Sequence, residues 1–263
     1  MIGRLALAAL ALASIAGPST ALAATLVPHR AAYRLSLAPL PQTQLAELQG
    51  QLVIEWKATC DLWLSYQRMA FVAVQLDGQM FGHDVHYSSA EDKAGRTLQF
   101  SVQTFDGPEQ VEAYRGRADL VPGDGGAAVF TTPEAERVEL PAGSIFPAAH
   151  LEDVLRRAAR DERLMTHRVF DGWGYDSLVQ VTTVIGSRET RPTDLDGSSD
   201  PSDVAWPVSM AYYDQGGEPD VPNFEAAFLL SDNGVLHQLE LNYGDFTVDG
   251  ELAEVELFER PDC

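Results

Sequence analysis

Two cysteines are the residues whose type and placement point to one definite chemistry. Cys60 lies in EWKATCDLW, and Cys263 is the last residue, after ERPD. In an oxidising compartment two thiols tend to pair. A Cys60–Cys263 bridge would close most of the chain into one loop, and loop-closure entropy caps its stabilisation at about 5 kcal/mol. It would also hold a last strand that otherwise frays. Two distant cysteines with no clustered histidine do not read as a zinc site.

The remaining reactive residues give weaker patterns. The six histidines are His29, His83, His86, His150, His167 and His237. His83 and His86 flank Asp84 in HDVH, but on a strand they point to opposite faces and cannot easily share a metal. The acidic stretch Asp194 to Asp203 invites a calcium reading. Its Gly197 comes too early for an EF-hand, and the twelfth position is Ala205 rather than glutamate. Asp171-Gly-Trp-Gly-Tyr-Asp176 has no phosphate-loop lysine and reads as a turn with aromatic rings at its tip. No Gly-x-Ser-x-Gly elbow is present. The residues therefore assign no catalytic group, no metal ligand, no cofactor and no specific ligand-binding side chain.

The compartment is stated by the first 23 residues, MIGRLALAALALASIAGPSTALA. Arg4 supplies the positive start. Leu5 to Ile15 is an apolar run, and Ala21-Leu22-Ala23 is a small-x-small cleavage site. The run is shorter than the roughly 20 apolar residues needed to span a bilayer. Residues 1–23 are expected to be a cleaved signal peptide, leaving residues 24–263 as one exported, soluble domain without stable membrane insertion. The net charge of −21 argues against nucleic acid and against adhesion to anionic lipid.

Strand signals fill most of the rest. His29 to Leu37 alternates, with Ala31, Tyr33, Leu35 and Leu37 on one face. Gln51 to Trp56 and Asp61 to Leu76 follow, the latter as one long strand or a pair. His83 to Ser89, Thr97 to Phe105, Gln110 to Val121 and Ala127 to Thr131 continue the series. Leu178 to Gly186, Trp206 to Tyr213, Asn223 to Leu230, Val235 to Tyr243 and Phe246 to Phe258 complete it. Asp232-Asn233-Gly234 is a strong hairpin signal, and Asp249-Gly250 reads as a turn or a bulge. One segment, 146–163, places Leu151, Val154, Leu155 and Ala158 at helical spacing behind Pro147. About a dozen sequential antiparallel strands and one helix suggest a barrel or a sandwich, since closure hides strand edges. Tyr33, Trp56, Leu62, Leu64, Val181, Val184 and Phe228 could line an apolar interior; ordinary core packing is the competing reading for each.

The ordered pieces resemble a known family. They are VPHRAAYRLSL, a strand carrying Gly50 that leads to Cys60, SIFPAAHLEDVLRRA, VFDGWGYDSLVQVTTVIG, PVSMAYYD, LSDNGVLHQLELNYGDFTVDGEL and a final cysteine. Together they resemble the EipB-like periplasmic cell-envelope integrity proteins, over about His29 to Cys263. His29-Arg30 and Tyr33 match its N-terminal motif without an assigned role, while Arg188–Ala205 is longer and more acidic than the family leads one to expect. The resemblance implies a periplasmic protein whose fold is a β-spiral, an open barrel-like sheet around a central helix, closed by a disulfide on Cys60 and Cys263. It implies no enzymatic activity. An apolar, lipid-like or peptide ligand, or an envelope protein partner, is expected at the curved sheet. The alternatives are an envelope glycan or peptide hydrolase, which needs carboxylates or histidines converging in one cleft, and a structural oligomer docking through its β edges.

Overall fold

The computed structural model describes residues 24–39, 43–190, 202–214 and 221–263. The proposed leader 1–23 and most of the acidic loop, 191–201, lie outside these. Among the described residues the chain forms sixteen strands and one helix. The first arm comprises β1 (His29–Leu37), β2 (Leu45–Ala58), β3 (Leu62–Gln75), β4 (Met80–Asp92), β5 (Thr97–Asp106), β6 (Glu109–Val121), β7 (Gly125–Thr132) and β8 (Glu136–Leu140). After β9 (Ser144–Ile145) comes the helix α1 (Pro147–Ala158). The second arm comprises β10 (Leu164–Phe170), β11 (Leu178–Ile185), β12 (Glu189–Thr190), β13 (Val204–Asp214), β14 (Phe224–Ser231), β15 (Leu236–Asn242) and β16 (Thr247–Leu257).

All of these strands belong to one sheet. Its path runs from β8 back to β1, crosses to β16, and descends to β10 and β9, with β12 as a side branch on β13. β1 and β16 join the two arms antiparallel, from His29 opposite Leu257 to Leu37 opposite Val248. The two free ends of the path, β8 and β9, are joined in the chain by Pro141, Ala142 and Gly143. The sheet therefore curls until its ends meet, a nearly closed barrel. The pairing of β9 with β10 is parallel, and α1 is the crossover that such a pair requires.

Inner-face contacts follow from this curl. Tyr33 Oη donates to the carbonyl of Leu236, two strands away. Tyr243 Oη lies 3.6 Å from Met69 Sδ across the barrel. The main core gathers residues from both arms and from the helix. A second core joins Leu98, Phe100, Phe130 and Leu140 of the first arm to Phe146, Phe170 and Leu178 beyond the seam.

Several expectations need correction. The helix ends at Ala158 rather than at residue 163. Asp161 takes a left-handed φ of 59°, and the Asp161 and Glu162 amides fold back onto the Ala158 and Arg157 carbonyls. That turn closes the helix end and aims the chain into β10. On β3 the inward residues are Trp63, Ser65, Phe71 and Ala73, whereas Leu62 and Leu64 belong to the opposite, half-buried face. The stretch is apolar on both faces, and the larger Trp63, bonded to the helix, decides the register. Val184 is exposed while Val181 is buried, because three residues along a strand reverse the face. Asp249 and Gly250 lie inside β16 and form no turn; the bulge in that strand falls between the pairs Ala32–Glu254 and Tyr33–Leu252. Tyr33, Trp56, Val181 and Phe228 are buried as anticipated.

Candidate functional site

Strand alternation gives the barrel two unlike ends. At one end sit the β2–β3, β4–β5 and β14–β15 turns, and α1 lies against all three. Trp63 Nε1 donates to Glu152. A Cβ placed on Gly95 would stand 3.6 Å from that of Ala149, and one on Gly234 3.7 Å from Leu155. The disulfide is at this end too: Cys60, in the β2–β3 turn, is bonded to Cys263 with a Cα separation of 5.8 Å.

The helix is held there by buried ionisable groups that periodicity alone does not reveal. Glu91, 3% exposed, points from β4 at the helix N-terminus and accepts from the amides of Ala148 and Ala149 at 2.7 and 2.9 Å. Its carboxylate satisfies two amides that a helix start leaves unpaired. Burial pushes its pKa up to about 7, with the two amides pulling the other way. One turn on, His150 meets His167 of β10 edge to face, 5.5 Å between centroids. Asp153 accepts from Arg156 and Arg157 and lies 3.4 Å from His167. Burial, then the neighbouring His167, push His150 down to about 4 against the pull of Asp153.

These two shifts have opposite signs in stability. Glu91 holds its proton better in the folded chain, so its share is full below pH 4.5 and is lost as pH rises to about 7. His150 resists protonation, so its share is full above pH 6.5 and is lost as pH falls to about 4. Between pH 4.5 and 6.5 the two oppose each other. Relative to the wild-type chain, urea midpoints of Glu91→Gln should fall on acidification and those of His150→Gln should rise, each by the equivalent of roughly 1 kcal/mol per pH unit. Parallel profiles for all three proteins would refute the assignment.

The opposite end carries the β1–β2, β3–β4, β5–β6 and β15–β16 turns and no helix. Half-buried aromatic rings form a chain there. Tyr212 meets Phe224 at 5.2 Å, Phe224 meets Tyr243 at 5.0 Å, and Tyr243 stacks on Phe246 at 5.1 Å. On the facing wall Phe71 packs against Phe81 and His83. Leu76 and Met80, each 69% exposed, stand on the rim, with Val221 and Trp173 also exposed. The loop from Asp171 to Ser177 does not present all its rings to solvent. Tyr87 Oη donates to the Asp171 carbonyl, and Tyr175 packs 4.8 Å from Phe130, so this loop covers part of the mouth.

His83 and His86 do occupy opposite faces: His83 lies beside Phe71, and His86 stands 3.0 Å from Asp84 beside Phe105. Asp84, His86 and Ser88 share the outer face of β4. Arg68 binds Asp84 through two bonds. No group of three or more potential metal ligands occurs among the described residues. No helix among them is long and apolar enough to cross a membrane.

A nearly closed antiparallel sheet, plugged at one end by a helix and cross-linked there by the Cys60–Cys263 bond, defines a barrel-like protein. The EipB-like family pattern matches residues 20–259, and the chain belongs to that family. It is 30% identical over 257 residues to the cell envelope integrity protein EipB of Brucella abortus (strain 2308), covering 94% of this chain and 90% of that one. It also superimposes on the crystal structure of a β-barrel-like protein with a domain of unknown function from Brucella abortus. That match has a TM-score of 0.82 and 27% identity, over 90% of this chain and all of the other.

Proposed function

We propose that this chain is exported through residues 1–23 and works in the periplasm, as one unit from residue 24, as a non-enzymatic protein that supports the cell envelope. It does so by receiving an apolar, lipid-like ligand at the helix-free end of the barrel. The observation that carries this reading is the chain of half-buried rings from Tyr212 to Phe246, rimmed by exposed Leu76 and Met80. A contiguous exposed apolar patch on a soluble protein marks a place of contact. The chain's net charge of −21 favours a neutral or zwitterionic ligand over an anionic one.

Lysophosphatidylcholine titrated into the purified protein, followed by native mass spectrometry, tests this. Binding of one or a few molecules is expected, and Tyr243→Ser combined with Met80→Asp should weaken it at least 10-fold. Each apolar side chain removed from such a contact costs about 1.5–3 kcal/mol. An absence of binding, or equal binding by the double variant, overturns the ligand reading and leaves the mouth as a surface for an envelope protein partner.

A further inference from the structure

A wide cleft lies away from both barrel ends, on the outer face of β4–β7. It measures about 950 Å³, and its lining includes Ser88, Gln99, Ser101, Gln103, Arg115 and Arg117. Register explains its chemistry. Ser88, Ser101 and Arg115 form one cross-strand row; Ala90, Gln99, Arg117 and Val129 form the next. Small side chains on β4 and β5 leave space, and long polar ones on β5 and β6 border it.

Three features distinguish this face from a merely solvated one. The side chains of Ser88, Gln99 and Ser101 form no hydrogen bonds within the described residues, so their donors and acceptors are all available. The guanidinium of Arg115 has no carboxylate partner among the described residues, although the chain carries 39 Asp and Glu against 18 Lys and Arg. Arg117 is the second cation and is paired with Asp119. Exposed Tyr66, the cross-strand partner of Ser88, supplies an aromatic surface at the margin of the cleft.

We infer that this outer cleft binds a glycan strand that carries carboxylate groups. Sugar hydroxyls need donors and acceptors pointing in several directions, which hydroxyl and amide side chains provide. A sugar ring presents C–H groups to an aromatic face such as Tyr66. A carboxylate on the strand pairs with the free Arg115 fork, a charge-assisted and directional contact. An extended acidic peptide fits this place less well. Its backbone seeks the N–H and C=O ladder of a sheet edge, and here only the face of the sheet is offered.

The test uses the full mature chain at low salt. Soluble glycan strands prepared from peptidoglycan, which bear lactyl carboxylates, are titrated by calorimetry beside dextran and poly-glutamate. The glycan strands are expected to bind at least 10-fold more tightly than either control. Arg115→Glu should weaken that binding 10-fold or more, and Ser101→Trp, which fills the cleft, should abolish it. Both positions face outward, and unchanged melting temperatures in the two variants show that the fold is kept. Lysophosphatidylcholine binding at the barrel mouth is unaffected by either substitution, which separates this site from that one. The inference is overturned if the strands do not bind, if poly-glutamate binds as well, or if neither variant changes the affinity.

Discussion

Replacing Cys60 with Ser is expected to lower the melting temperature by up to about 10–20 °C and to open the C-terminus to proteolysis. The bridged residues are 203 apart in sequence, and cross-linking so long a loop removes up to about 5 kcal/mol of unfolded-state entropy. For a chain of this size each kcal/mol corresponds to roughly 2–4 °C. The substitution leaves the folded turn intact. Thr59 closes it independently, its amide bonding the Leu62 carbonyl and its Oγ1 accepting from Asp61 and Leu62. The tail beyond β16 has little else to hold it. Phe258 donates its amide to Pro28, and its ring lies 5.3 Å from Lys57 Nζ, while residues 259–263 form no strand. The loss should therefore appear first as cleavage after Leu257. Equal melting of wild-type protein with and without reductant would sink this account.

The bridge was legible in the sequence because only one pairing exists. The strands were legible in kind but not in extent. β2 begins at Leu45 rather than Gln51, because LAELQG does not alternate cleanly and gains its ladder from β1 and β3. Short β8, β9 and β12 carry too few residues to show a period, and β10 is broken by Thr166 and Arg168. The faces of β3 could not be read where Leu62, Trp63 and Leu64 are all apolar. The buried ionisable groups were hidden for a different reason. Glu91 sits on a strand whose outward neighbours are Ser88 and Ala90, and nothing local says that a helix 56 positions later will need its carboxylate. His150 could have been found: it falls four residues before Val154, on the buried stripe of α1. The aromatic mouth is assembled from β3, β13, β14 and the β15–β16 turn, so only the closed sheet brings its rings together.

The seam between the two arms carries the other large expected effect. β8 and β9 are not hydrogen-bonded neighbours, so the closure there depends on side chains. Phe130 is fully buried and lies at the centre, 5.0 Å from Phe100, 6.3 Å from Phe170 and 4.8 Å from Tyr175. Phe130→Ala should cost about 3–5 kcal/mol, the transfer loss plus the cavity left behind. Hydrogen exchange should quicken in β5–β8 and β10–β11 more than in β1, β2 and β16, because the latter lie farthest from the seam along the sheet. Val129→Ala, one residue away and 44% exposed, should change stability by less than about 0.5 kcal/mol. Gly172 supplies an independent probe. Its φ is +80°, and a Cβ there would fall 2.3 Å from the Phe100 ring. Gly172→Ala must therefore displace the same cluster and should speed exchange in the same strands. Uniform acceleration over the whole sheet in both variants would mean that the barrel opens as a whole, and that the aromatic seam is not its weakest line.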